Sequence, residues 1–207
     1  TDVEYDLIEE RDDTNVLVID AETRHIEPHM AAHVVGEIVG RAIKAGIQHI
    51  FKKTDSALRG NVGSELTALL ENSGQETLPF IPAFPEMQRT TTNGVHYIEG
   101  DRLSESVFSQ DPFEPTRESS IPKIIEMQSD IPTKVVSVGD KIPECHTKTI
   151  LIFDTETVED LENIVGELND KTGLSIMAGC AGFAARLPKI LNLNIGNKPK
   201  YDMAKNM

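Results

Sequence analysis

The stretch from Phe51 to Glu65, FKKTDSALRGNVGSE, constrains this chain more than any other. It opens on the apolar end of a strand (His49, Ile50, Phe51), turns through polar residues and reopens as a helix with Val62, Leu66, Leu69 and Leu70 on one face. A strand followed by a turn, a glycine and a helix start belongs to an α/β fold, which places its ligands at that junction. The first N–H groups of a helix lack partners and its dipole favours negative charge, so a carboxylate or phosphate settles there. Gly60 and Gly63 let the backbone come close, Lys52, Lys53 and Arg59 supply positive charge, and Asp55, Ser56 and Asn61 offer groups for hydroxyls. The mixture suits a small polyhydroxy acid. The plainer alternative is that Asp55 and Asn61 cap the helix while Arg59 pairs with Asp55 on the surface.

The flanking chain alternates in the same manner. Asn15 to Asp20, NVLVID, is a short Val- and Ile-rich run and predicts a buried strand. Just past its end, Thr23 and Arg24 are placed to face the same cleft as Arg59. Pro28 starts a helix to about Ala45, striped by Val34, Val35, Ile38, Val39 and Ile43; Gly46 closes it and Ile47 to Lys53 forms the next strand. The helix from Asn61 ends between Asn72 and Gly74. Further strands are predicted at Leu78 to Ile81, Lys134 to Val138, Thr149 to Phe153 and Leu174 to Ala178, with helices at Ile121 to Gln128 and Thr157 to Leu168. Gly179 to Gly182 again puts small residues between strand and helix, before a last helix containing Phe183, Leu187, Ile190 and Leu191. The expected fold class is α/β: three layers, a largely parallel sheet with helices on both faces, and a long insertion containing a hairpin.

That insertion, Pro82 to Ser120, lacks sustained periodicity, and a connection of this length is usually a lid, a binding loop or a docking surface. Asn93-Gly94 marks its hairpin turn. Arg89 is its candidate site residue, because a guanidinium holds a carboxylate through two parallel bonds and a lysine cannot. The apolar residues Val95, Tyr97, Ile98, Val107, Phe108 and Phe113 suggest an arm that projects from the core and contacts a second domain or a second copy, which allows a homo-oligomer. Of His25, His29 and His33 only the last two clearly share a helix face, since register cannot be carried across Pro28, and they read as surface or core histidines, so no metal site is expected. Cys145 and Cys180 read as reduced thiols.

Lysine and arginine number 20 against 34 aspartates and glutamates, a formal charge of −14. Such a surface repels nucleic acid and anionic membrane, so neither is an expected partner. With no apolar run of membrane-spanning length and no leader pattern, the chain reads as cytoplasmic.

Several segments resemble one family in order: KKTDSALRGNVGSE, PAFPEMQRTTTNGVHYIEG (Pro82 to Gly100), DPFEP (Asp111 to Pro115) and LSIMAGCAGFAARL (Leu174 to Leu187). The family is that of the four-carbon acid sugar kinases, and the part matched is their N-terminal sugar-binding domain. The resemblance implies transfer of the γ-phosphoryl group of Mg-ATP to a hydroxyl of threonate, erythronate or an oxo-tetronate. It assigns substrate contacts to Arg24, Asp55, Ser56, Arg59, Gly60, Asn61, Gly63, Arg89, Gly179 and Gly182, and leaves the catalytic base unassigned. In the family ATP is bound by a C-terminal domain, here expected in cis or in trans, since this sequence contains no GxxxxGK[ST] loop. This chain alone is therefore expected to hold no ATP or Mg. The family's first strand, which ends in an Asp-Asp pair, is not matched here; Gln88 stands where glycine is expected, and Cys180 replaces a small hydroxyl or alanine. The sugar-binding domain is expected to span 1–193, with 194–207 as linker or tail. The alternative is a non-catalytic module that captures a sugar acid or another anion.

Overall fold

In the computed structural model of this chain, residues 16–172 and 174–193 are described. In chain order they form α1 (Pro28–Lys44), β1 (Ile50–Lys53), α2 (Val62–Asn72) and β2 (Thr77–Ile81). Then come β3 (Arg89–Thr92), β4 (Val95–Ile98), β5 (Asp101–Arg102), α3 (Ile121–Glu126), β6 (Thr133–Val136) and β7 (Thr149–Phe153). The last elements are α4 (Val158–Thr172), β8 (Ile176–Gly179), α5 (Ala181–Ala184) and α6 (Leu187–Ile190). Five strands pair in parallel in the order β1-β8-β2-β7-β6, and β3, β4 and β5 make a small antiparallel sheet.

Because successive side chains of a strand point to opposite faces, each central strand feeds two cores. Leu78, Phe80, Ile150, Ile152 and Ile176 pack with α1, α2 and α3, against Val39, Leu66, Leu69 and Ile125. Leu151, Phe153 and Met177 face the other way, against Leu161, Val165 and Leu168 of α4 and Phe183 of α5. The two cores account for the near-continuous apolar runs of β7 and β8, and the architecture is the expected three-layer α/β fold.

The predicted strand at Asn15 to Asp20 does not form: residues 16–20 are irregular, and Val18 is 84% exposed. Asn15 lies outside the described residues. A strand needs a paired edge, and among the described residues β1 pairs with β8 alone, its other side bordering an apolar groove of about 1030 Å³ lined also by Val16 to Ile19 and by residues of α1 and α6. The next strand starts at Ile50 instead of Ile47, which is exposed. The last helix is broken into α5 and α6, with Pro188 in the first turn of α6, where its missing N–H is tolerated.

The insertion does not project as expected; it packs down on the domain. Asn93 and Gly94 take φ values of 52° and 69°, a turn that matches the twist of the hairpin strands. Their N–H groups donate to the Asp154 carboxylate at 2.9 and 2.8 Å, which clips the turn to the end of β7. Burial pushes the Asp154 carboxyl up, and the two N–H groups offset part of that rise. Thr91 and Thr155 exchange backbone bonds, and Ile98 and Leu103 enter the core. Of the insertion's apolar residues, Met87, Val107 and Phe113 stay in water, 50%, 76% and 87% exposed.

Candidate functional site

At the carboxyl end of β1 the chain passes through Thr54 and Asp55 into a turn, with Leu58 and Gly60 at positive φ. Asp55 accepts the N–H groups of Ala57 and Arg59, so its carboxylate shapes the turn that follows it. The same carboxylate takes Arg59 side-on: Nε donates to Oδ2 at 2.8 Å and Nη2 to Oδ1 at 3.2 Å. Arg24 reaches Asp55 Oδ1 at 3.1 Å from the 20–27 loop. Across the turn, Arg59 Nη1 donates to Asp111 Oδ2 at 2.8 Å, and the guanidinium lies 5.0 Å from the centroid of the Phe108 ring. Two arginines and two aspartates thus form a box at the sheet edge, where open α/β sheets bind ligands.

The charges of the box stabilise one another. Burial pushes the Asp55 carboxyl up, but Arg59 and then Arg24 pull it further down, so it stays ionised below its ordinary range. Arg59 is raised by its bond to Asp55. Asp111 is lowered to about 2, first by the N–H groups of Glu114 and Phe113 and then by Arg59.

A second cluster braces the box from below. Lys52 Nζ lies 2.6 Å from Glu65 Oε2, and the Thr23 hydroxyl donates to Glu65 Oε1. Asn61 Nδ2 donates to the carbonyls of Thr23 and Ile26, both at 2.8 Å, which ties the 20–27 loop to the start of α2. From the hairpin, buried His96 donates Nε2–H to the Ser56 carbonyl at 2.9 Å, an assignment the carbonyl imposes because it only accepts. Nδ1 therefore accepts from the Thr91 hydroxyl at 3.2 Å. Burial holds this imidazole neutral, at about 4.

Of the residues singled out in the sequence, Arg24, Asp55, Arg59 and Asn61 line the groove beside β1. Ser56, Gly60, Gly63, Arg89, Gly179 and Gly182 do not. Gly60 sits against Arg24, whose Cγ is 3.0 Å from where a Cβ would lie. Three glycines are required by packing: a Cβ would lie 2.5 Å from the Ile125 carbonyl at Gly63, 2.3 Å from that of Ile81 at Gly179 and 2.7 Å from that of Ala83 at Gly182. Arg89 donates Nη1 to the Met87 carbonyl. The start of α2 is not an open anion cradle: Gln128 Oε1 accepts from Gly63 N at 2.9 Å and Ser64 N at 3.4 Å, and its amide donates to Gly60 O at 3.3 Å. Cys180 is buried and its thiol donates to the Ala83 carbonyl.

Asp111, His96, Glu65 and Gln128 help to build this region without having been singled out. For Asp111 the signal was present, in the DPFEP segment that joined the resemblance. Glu65 and His96 also lie in segments of that resemblance, KKTDSALRGNVGSE and PAFPEMQRTTTNGVHYIEG, whereas Gln128 carries no signal, because its role depends on a contact with a distant element. Among the described residues no group of three His, Cys, Asp or Glu side chains is placed to hold a metal ion, and no helix is long and apolar enough to cross a membrane.

These features define an α/β domain with an arginine-carboxylate box at the carboxyl end of its edge strand. The chain belongs to the family of sugar-binding N-terminal domains, which matches residues 2–187. It is 29% identical over 185 residues to a D-threonate kinase of Salmonella typhimurium, a match covering 84% of this chain and 44% of that protein. It is also 29% identical over 178 residues to a D-erythronate kinase of Heliobacterium modesticaldum, covering 79% and 40%. The chain thus spans less than half the length of these curated relatives. A crystal structure of a Bordetella bronchiseptica protein, described as a domain-swapped dimer with bound citrate, matches with a TM-score of 0.68 at 26% identity, over 80% of this chain and 42% of that one.

Proposed function

We propose that this chain is the part of an ATP-dependent kinase that holds a four-carbon sugar acid, of the threonate, erythronate or oxo-tetronate type. The observation that carries the reading is Arg59: a side chain four-fifths buried, its guanidinium fixed side-on by Asp55 and lying over the Phe108 ring, just past the carboxyl end of β1. A planar fork held in one orientation selects a carboxylate geometrically, which a mobile surface charge does not. Arg24 adds a second positive group beside it, and Asp55, Ser56 and Asn61 bring polar atoms to the same turn. The names of the curated relatives agree with an acid of this size, and citrate in the Bordetella protein is a carboxylate ligand of that fold.

Phosphoryl transfer rests mainly on positioning and charge neutralisation. The share of it proposed for this chain is to bind and orient the acid. ATP and Mg belong to the complete enzyme; the described residues supply neither a glycine-rich phosphate loop nor a carboxylate cluster suited to a cation, so no step is routed through them here. The nucleotide would come from a second domain, joined to this one or separate. In solution the domain is read as a cytoplasmic protein whose partners are the acid and that second domain. Calorimetric titration of the chain with D-threonate and D-erythronate, with erythritol as the neutral control, tests the binding role. Saturable binding of an acid and none of erythritol is expected, and equal weak responses to all three would reject it. Phosphate transfer assayed with and without a nucleotide-binding half tests the catalytic role.

A further inference from the structure

The segment Phe108 to Thr116 forms a closed loop whose base is fixed: Thr116 N donates to the Phe108 carbonyl at 3.1 Å, the Thr116 hydroxyl donates to Leu103 O at 3.2 Å, and Phe108 packs on the core. The near end of its tip, residues 109–115, is tied to that base, Ser109 N and Asp111 N donating to the Ser106 and Phe108 carbonyls at 3.0 and 3.3 Å; the rest is held by side chains. Asp111 accepts from Arg59, and Glu114 Oε1 lies 2.9 Å from His25 Nδ1 on the opposite wall of the box. The apolar residue of the tip, Phe113, is 87% exposed and contributes no burial that would hold the tip down. Polar side-chain contacts therefore bridge the tip to the box, and the stronger one is a carboxylate on Arg59.

Arg59 has five N–H donors in a fork. Asp55 engages Nε and Nη2, and Asp111 engages Nη1 through one oxygen only. The other oxygen of Asp111 is occupied by the N–H groups of Phe113 and Glu114, both at 3.0 Å. Asp111 cannot turn both oxygens to Arg59 without breaking its own turn. A ligand carboxylate has no such restraint and can take the free end of the fork with two bonds where Asp111 makes one.

We propose that Asp111 occupies on Arg59 the place of a ligand's carboxylate, so that the 109–115 tip is a latch which an acid opens and a neutral polyol does not. The proposal rests on the sugar-acid reading given above. It makes Asp111 a specificity-determining residue: a ligand enters only if it repays the lost Asp111–Arg59 bond with an anion of its own.

Asp111→Asn separates the latch from the turn, since the amide oxygen still accepts from Phe113 N and Glu114 N while the charge facing Arg59 is gone. With D-threonate as the probe, calorimetry is expected to show binding about tenfold tighter in Asp111→Asn than in the native chain, the loss of one charge-assisted competitor. Hydrogen exchange of the 109–115 amides should speed up when D-threonate is added and not when erythritol is added. Equal or weaker binding by Asp111→Asn, or exchange that slows with D-threonate, overturns the latch. Arg59→Lys tells the two failures apart. If it weakens binding while Asp111→Asn does not tighten it, the latch fails and the carboxylate site stands; if neither variant changes the affinity, the carboxylate site itself has failed and the latch with it.

Discussion

His96 should make the stability of this domain fall as the solution is acidified through the range where most carboxylates are still ionised. The imidazole is buried in the hairpin, bonded as a neutral ring between the Thr91 hydroxyl and the Ser56 carbonyl, with Arg89 disfavouring its charged form and Asp55 favouring it. Its value drops from an ordinary 6.5 to about 4, burial being the main cause. The sign follows from where the proton goes. Below about pH 6.5 the unfolded chain takes up a proton that the native one refuses, so the contribution is complete above that pH and is lost as pH falls toward about 4. At about 1.4 kcal/mol per pH unit, the loss between pH 7 and pH 5 is about 2 kcal/mol, and it approaches about 3 kcal/mol near pH 4. With an m-value of about 2 kcal/mol/M, the urea midpoint should move down by about 1 M over the first interval.

The assay is urea unfolding of the native chain and of His96→Gln at several pH values, followed by circular dichroism. Glutamine keeps a donor and an acceptor but does not titrate. Asp55, Glu86, Glu118 and Glu167, all lowered in the fold, contribute to acid loss in both proteins at lower pH and cancel in the difference. The variant should begin less stable at neutral pH and lose less on acidification, so that the two curves converge. Curves that run parallel from about pH 7 to about pH 4.5 would refute the reasoning, since they would mean that His96 titrates alike in both states.

Arg59→Lys should weaken binding of D-threonate by tenfold or more in calorimetry, because a point charge cannot bond Asp55 side-on and present a second fork to a ligand; an affinity within about twofold of native would count against the site. Gly63→Ala places a methyl 2.5 Å from the Ile125 carbonyl, so the α2–α3 contact must open, and the thermal midpoint should fall by the equivalent of about 1–3 kcal/mol. Asp154→Ala strands the Asn93 and Gly94 N–H groups at a buried clip and should cost about 2–3 kcal/mol, with faster hydrogen exchange confined to the β3–β4 hairpin.

The features legible in the sequence are those settled within a few residues. Asn93-Gly94 fixes its hairpin turn by the φ values it permits, and Thr157 begins α4 through a reciprocal pair, its hydroxyl accepting from Asp160 N and its own N–H donating to the Asp160 carboxylate. The Asp55–Arg59 pair is equally local, one helical turn apart in sequence, and was weighed there as a plain ion pair. What converts it from a surface pair into a candidate site comes from elsewhere. Asp111 lies 52 residues away, and Gln128, which fills the helix start expected to hold an anion, lies 65 residues beyond Gly63. No periodicity or propensity reports which distant side chain will reach an orphan N–H first, so an empty cradle in sequence can be a capped one in the fold.

The segment at Asn15 to Asp20 shows the converse limit. Its composition is that of a buried parallel strand, yet Val16, Leu17 and Val18 are exposed and irregular. Propensity describes how well side chains fit a pleated surface; it does not provide the neighbouring backbone that the ladder requires. Here the nearest sheet edge, β1, is separated from residues 16–19 by the groove that both line, about 1030 Å³ in volume. Residues 16–20 do not pair with that edge, so a segment with every local mark of a strand is not one here.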